Sequence, residues 1–224
     1  AVLTFNDTIE YADADIRLYL MGKEPIFLKS ITIVQEEGGG NQDEFSGKCG
    51  DNLYYTITPL PYNVYVWDLE TSQSVEAPAY KLTITGTGDM YDYGWDENRA
   101  PWMEEYQENI AEIELPEGLT RVGNEAFDGC NNARIDRLPS TLKSIGFYAF
   151  SSMYWFTSDL HLPEGLTAIE SRAFCYTSGI QNLYLPSTVT YIGDAALSGL
   201  WGLENFYVDE ANTAYKSDGN AVIA

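Results

Sequence analysis

One phrase occurs four times in the second half of the chain: LPEGLTRVGNEAF at 115–127, LPSTLKSIGFYAF at 138–150, LPEGLTAIESRAF at 162–174 and LPSTVTYIGDAAL at 185–197. Its prolines, Pro116, Pro139, Pro163 and Pro186, set a period of 23, 24 and 23 residues. A fixed period in this range predicts a solenoid, because no single repeat can bury its own apolar face. Each unit opens on a short alternating strand (Ile113 and Leu115; Leu160 and Leu162; Leu183 and Leu185) that stops at a proline unable to extend the ladder. A Glu-Gly or Ser-Thr turn follows. Then comes an apolar pair (Leu119/Val122, Leu142/Ile145, Leu166/Ile169, Val189/Ile192) and an Ala-Phe or Ala-Leu pair read as a short helical turn. Stacking aligns these positions into columns, so Phe127, Phe150 and Phe174 are expected to be buried one repeat apart.

The phrase LPxxLxxIGxxAF at this spacing resembles the BspA-like, or Treponema-type, leucine-rich repeat of bacterial surface proteins. The resemblance implies an α/β leucine-rich repeat solenoid of about four and a half 23-residue repeats over residues 110–224. It also implies an N-terminal β capping module over 45–109. Within that module SGKCGDNLYYTIT (46–58) and YKLTITGTGDMYDY (80–93) are similar to the strands that precede repeats of the family. The chain departs from the family between them, where residues 59–79 replace a short turn. This insert carries Tyr62, Tyr65 and Trp67, and its prolines Pro59, Pro61 and Pro78 are expected to keep it out of regular pairing. A second small hairpin with Val64–Trp67 as one arm fits it. Over 100–115, Pro101 suits a first helical turn, and Trp102, Tyr106 and Ile110 recur on one face, predicting a short helix that caps the first repeat.

Ahead of the module, residues 1–37 alternate around Ile16, Leu18 and Leu20 and again around Ile26, Leu28, Ile31 and Ile33, which predicts a β-hairpin. So short a piece cannot build an independent core; it either docks on the rest of the chain or belongs to a larger β-sandwich. Residues 38–44 are an acidic, glycine-rich linker by composition. At the other end, Phe206-Tyr207-Val208 forms a strand with no LTxIG phrase after it, so the array either stops there or continues.

Thirty-four acids against twelve bases give a net charge of −22, which repels phosphate backbones and anionic lipid and argues against nucleic acid. No apolar run is long enough for a membrane helix, so no direct membrane insertion is expected. The three cysteines fit neither a disulfide framework nor a zinc pattern. Cys130 shares a column with Met153, Thr177 and Leu200 and is expected to be buried and reduced, whereas Cys175 is expected to be partly exposed.

Catalytic chemistry finds little support. The lone histidine, His161, reads as a solvated imidazole on a repeat strand, and the glycine run at 38–40 lacks the lysine and helix of a phosphate cradle. The acidic stretch Asp89–Asn98 misses the calcium-loop template, because Tyr91, Tyr93 and Ala100 stand where ligands are required. No metal, cofactor or catalytic residue is assigned. In the second repeat Asp136 falls where Ile113 and Leu160 point inward, and a bulge that puts Ile135 inside instead is expected there.

The strands themselves are more informative. Side chains alternate, so Glu114, Arg137, His161, Tyr184 and Tyr207 form one outward row, and Glu112, Ile135, Asp159, Asn182 and Asn205 form a parallel one. From these rows Glu114, Arg137, His161, Tyr184, Tyr207, Asn182 and Asn205 are the candidate binding residues, with Tyr62, Tyr65 and Trp67 of the insert as the alternative site. Tyr184 and Tyr207 are the expected anchors, with both rings outward. The favoured function is non-enzymatic binding through this face. The resemblance implies protein recognition or adhesion by a cell-surface or extracellular bacterial protein, exported with its signal removed. The partner is a protein or glycan on a host or neighbouring cell. A carbohydrate-binding module using surface Tyr and Trp is the second reading, and a carboxylate-based glycoside hydrolase the third.

Overall fold

The computed structural model describes residues 45–68, 71–96 and 98–217, with the backbone of a last strand at 222–223. The hairpin expected over 1–37 and the linker expected over 38–44 lie outside the described residues. Three strands open the described chain: β1 (Phe45–Lys48), β2 (Leu53–Asp68) and β3 (Gln73–Gly86), all antiparallel. A short β4 (Gly88–Asp89) leads out of them. β5 (Ile110–Glu114) then pairs in parallel with β3, which turns the hairpin into the first rung of the solenoid. The inward side chains of the hairpin, among them Leu53, Ile57, Leu82 and Ile84, therefore join the same core as the repeats.

Each repeat contributes to three columns. The front column holds β5, then β8 (Asp159–His161), β10 (Asn182–Leu185) and β12 (Asn205–Val208). A second column is a five-stranded parallel sheet of β4, β6 (Leu119–Val122), β7 (Ser144–Ile145), β9 (Ala168–Ile169) and β11 (Tyr191–Ile192). The glycine that follows β6 has a steric reason: a Cβ at Gly123 would overlap the carbonyl oxygen of Tyr91 in the neighbouring rung. A small antiparallel pair, β13 (Lys216–Ser217) with β14 (Val222–Ile223), follows the last repeat strand.

The third column corrects the α/β expectation. Among the described residues there is no helix, and the Ala-Phe segments are turns. Each is bracketed by two left-handed residues four apart: Glu125 and Gly129, Tyr148 and Ser152, Arg172 and Tyr176, Ala195 and Gly199. A right-handed helix cannot propagate through such positions. The amides that a helix would use internally point sideways instead. Phe127 N–H donates to Ala149 O at 2.9 Å, Phe150 to Ala173 at 2.8 Å and Phe174 to Ala196 at 2.8 Å, so the turns form a ladder of their own. The chain is a solenoid of parallel strands and turns.

Phe127, Phe150 and Phe174 are buried and stack with ring centroids 5.5 and 5.4 Å apart, as the period predicts. Trp102 continues the stack beyond the first repeat, 5.7 Å from Phe127 and tilted by only 18°, and its indole N–H donates to Ala126 O at 2.8 Å. It thus shields the end of the column. Residues 101–109 are turns rather than the expected helix, because Ile110 belongs to β5 and the chain must straighten before it.

The insert also differs from expectation. Residues 59–79 extend one long hairpin, with Asn63–Asp68 paired to Gln73–Pro78 in register. The prolines disturb pairing only locally, at the register shift between Pro59 and Asn63.

The second repeat resolves its inward aspartate as the alternation requires. Ile135 is buried, while Asp136 is exposed and paired with Arg134 at 2.7 Å. No regular strand survives the shift. Only an isolated bridge, Glu112 to Arg134, ties this rung to β5, and the front sheet is interrupted between the second and third repeats. Across the same junction the other two columns stay continuous, through β7 with β9 and through the turn ladder.

Candidate functional site

The outward face of β8, β10 and β12 carries two side-chain ladders. In one, the rings of His161 and Tyr184 lie 3.9 Å apart and 4° from parallel, and Tyr184 and Tyr207 follow at 4.7 Å and 16°. In the other, the Asn205 amide donates to Asn182 Oδ1 at 2.7 Å and the Asn182 amide donates to Asp159 Oδ1 at 2.6 Å. In-register parallel pairing produces both, since Asp159, Asn182 and Asn205 are Cα partners, as are His161, Tyr184 and Tyr207. A shallow groove of about 210 Å³ runs beside the rings, lined also by Glu164, Pro186 and Asp209. Tyr184 differs from expectation in one respect: held between two rings, it is half-buried, whereas Tyr207 is exposed.

The N-terminal part of the face is charged. Lys81 of β3 meets Glu114 of β5 at 2.7 Å, and the hydrogen bond it donates to that carboxylate holds the ammonium pKa above its ordinary value. The Ser140 hydroxyl donates to Glu117 at 2.8 Å and Arg137 reaches it at 2.8 Å; these contacts, the Ser140 bond foremost, hold that carboxyl below its ordinary range. Together with Glu112, Arg134 and Asp136 these groups rim an open groove of about 460 Å³. Ile135 leaves the outward row because the shift buries it, and Arg134 takes its place beside Glu112. Lys81 and Arg134 were missed in the sequence, the first because β3 joins the face only through β5, the second because of the shift.

The alternative site is continuous with this patch. Tyr62, Tyr65 and Trp67 are all exposed, and the Tyr62 hydroxyl donates to Glu112 Oε1 at 2.7 Å. Asn132 donates to Tyr65 O at 2.9 Å and pins the hairpin to the second repeat. In the acidic stretch, the carboxylate of Asp92 accepts from Arg121 at 2.6 Å and from the Asn124 amide at 2.8 Å, so it serves as a structural brace. Among the described residues no three His, Cys, Asp or Glu side chains are gathered as a metal site. Cys49, Cys130 and Cys175 are free and buried. Cys175 corrects the expectation of partial exposure: it is buried, as is Ser151 at the same place in the preceding repeat, where a further repeat packs on each side; the same position in the last repeat, Ser198, is exposed. No described helix is long and apolar enough to cross a membrane.

The repeat sequence matches a known family. The model of the BspA type leucine rich repeat region fits residues 105–218 in six copies, just over half of the chain. The chain belongs to the BspA-type leucine-rich repeat family. Solved structures similar to this BspA-type chain include a leucine-rich repeat protein from Eubacterium ventriosum, at 23% identity and a TM-score of 0.53, with 80% of this chain and 48% of that one covered. The Treponema pallidum leucine-rich repeat protein has 21% identity and a TM-score of 0.42, covering 66% of this chain and 70% of that one. A leucine-rich repeat protein from Bacteroides ovatus has 18% identity and a TM-score of 0.40, covering 66% and 46%. The chain spans about half the length of the Eubacterium ventriosum protein. No curated protein matches it.

Proposed function

We propose that this protein binds another protein through the outward face of its front sheet, without catalysis, at a bacterial cell surface or outside the cell. The observation that carries the reading is the pair of ladders on β8, β10 and β12. Rigid strands hold Tyr207 and Tyr184 beside amides that can adapt their hydrogen bonds, which is the composition of a recognition surface. Next to them lies a patch of both charge signs, suited to fixing the orientation of a protein partner. Membership of the BspA-type family supports a binding role, and family resemblance supports adhesion to a host or neighbouring cell. The two carboxyls raised by burial, Glu125 and Asp128, line neither of the two grooves of this face, which favours binding over hydrolysis. A glycan partner is the second reading, favoured by the exposed turn at Tyr154 and Trp155.

Beads coated with the protein and applied to cultured epithelial cells test this. Adhesion is expected to disappear when the cells are first treated with protease. It is also expected to fall about tenfold when Tyr184→Ala and Tyr207→Ala are combined, with little change in Glu112→Ala. If the double tyrosine variant adheres normally and Tyr62→Ser with Tyr65→Ser and Trp67→Ser does not, the hairpin is the contact surface and the sheet-face reading fails. Adhesion that survives protease but not periodate treatment of the cells favours the glycan reading.

A further inference from the structure

The one irregular spacing among the repeats, 24 residues between Pro139 and Pro163, coincides with the break in the front sheet. The extra residue lies between Phe156 and β8, in the segment 157–158. The turn just ahead of it, Tyr154–Trp155, stands where the other repeats place Asn131–Asn132, Ser178–Gly179 and Trp201–Gly202, and it turns both rings outward, Trp155 to 65% exposure. Behind them Phe156 stays buried against Phe150 and Phe174, at 5.4 and 5.9 Å, so the turn has a fixed base. Beside the break opens a groove of about 480 Å³, walled by Tyr154 and Trp155 and by the polar side chains of Arg134, Ser158, Ser178 and Gln181. Two glycines, Gly179 and Gly202, form part of the lining and leave the backbone bare. A side chain at Gly179 would press on the carbonyls of Tyr154 and Phe156 at 2.7 and 2.9 Å.

We propose that this groove is a binding site for a neutral oligosaccharide. A sugar ring presents an apolar C–H face and a polar rim. A flat exposed indole next to an amide, hydroxyls and a guanidinium offers a counterpart to each. No carboxylate lines the groove, in a chain that carries thirty-four of them, so sugar hydroxyls meet no wall of fixed negative charge there. The single cation, Arg134, is already paired with Asp136 at 2.7 Å, which leaves no free charge to select an anionic sugar. The volume falls within the range of small-ligand sites, which run to roughly 300–1,000 Å³, and its open shape suits a segment of a longer glycan. The site rests on the glycan reading and shares no residue with the aromatic ladder of the sheet face.

The test is fluorine NMR of the protein labelled with 5-fluorotryptophan, its five signals assigned by single Trp→Phe changes. The probes are cello-, malto-, xylo-, manno- and laminari-hexaose, with a sulfated heparin hexasaccharide for comparison. At least one neutral hexaose is expected to shift the Trp155 signal saturably. Trp155→Ala and, separately, Gln181→Ala should weaken that binding about tenfold or more, read from the remaining signals and by calorimetry. Both side chains are exposed, so the variants should keep the parent melting temperature. Shifts confined to Trp67 would overturn this site while leaving the glycan reading intact. Absence of any saturable shift with all five neutral hexaoses would overturn both, and binding of the heparin fragment alone would overturn the assignment to neutral sugars.

Discussion

His161 and Tyr184 lie face to face, their rings 3.9 Å apart and within 4° of parallel, and Tyr207 closes the other face of Tyr184 at 4.7 Å. The middle ring therefore has two partners and the outer ones have one each. Aromatic pairs are worth about 0.5–1.5 kcal/mol beyond burial. Tyr184→Ala should thus destabilise the protein by about 1–3 kcal/mol and Tyr207→Ala by about half as much. Urea unfolding monitored by circular dichroism measures the difference, and equal losses would show that the rings are stacked without being coupled. Tyr207→Ala is accordingly the cleaner probe of binding.

Thr141 supports a second prediction. Its hydroxyl accepts from the Gly118 amide at 2.8 Å and donates to Leu119 O at 2.9 Å, both in the preceding repeat. Thr141→Val keeps the shape and leaves two partly buried backbone groups without their partner, at a cost of about 1–3 kcal/mol. Thr167→Val removes a comparable bond, from an exposed hydroxyl to Lys143 O at 3.0 Å, where water replaces the lost partner. Its cost should stay below about 0.5 kcal/mol. Matching losses in the two variants would contradict the assignment.

Acid titration should reveal Asp128. Burial raises its carboxyl pKa, against the opposing hydrogen bonds from Ser151 and the Trp95 indole. The folded state therefore holds this proton more tightly than the unfolded chain does. That contribution to stability is complete below the unfolded value, near pH 4, and is lost as pH rises through the folded one. Asp128→Asn should remove this part of the decline, so the variant gains on the parent as pH rises. Melting temperatures of the two proteins from acid to neutral pH decide the matter: parallel curves would mean that Asp128 carries no linkage.

The thiols give a simpler readout. Burial pushes Cys49 up to about 12 and raises Cys130 and Cys175 as well, so none should be a thiolate at neutral pH. Ellman's reagent should find no reactive cysteine in the native protein and three after unfolding without reductant. Rapid reaction of one native thiol would indicate that Cys175 is accessible after all.

Much of the architecture was legible because it repeats. The inward strands, the apolar pairs and the phenylalanine column follow from spacing alone, and so does the exchange of Ile135 for Asp136, since a buried carboxylate has no partner there. The turns were harder. The first left-handed position of each is filled by Glu125, Tyr148, Arg172 or Ala195 rather than by glycine, and glycine takes the second in only two of the four, Gly129 and Gly199, so composition hardly separates them from a helical turn. The candidate face was half legible. Alternation places His161, Tyr184 and Tyr207 on one side, but Lys81 reaches that side only through the parallel pairing of β3 with β5. The 24-residue spacing was visible too, yet a spacing does not say whether strand or turn absorbs the extra residue.

The bond from Gly118 to Thr141 recurs once, from Gly165 to Thr188 at 3.0 Å. Glu-Gly rungs donate and Ser-Thr rungs accept, in strict alternation along the chain. The array therefore has a parity. Removing the second repeat alone would set Gly118 against Gly165, two donors with no hydroxyl between them, whereas removing the second and third together would return Gly118 to a threonine, Thr188. Adding or removing repeats two at a time therefore preserves the alternation of donor and acceptor rungs, whereas a single repeat breaks it, so the pair of repeats is the structural unit of the array.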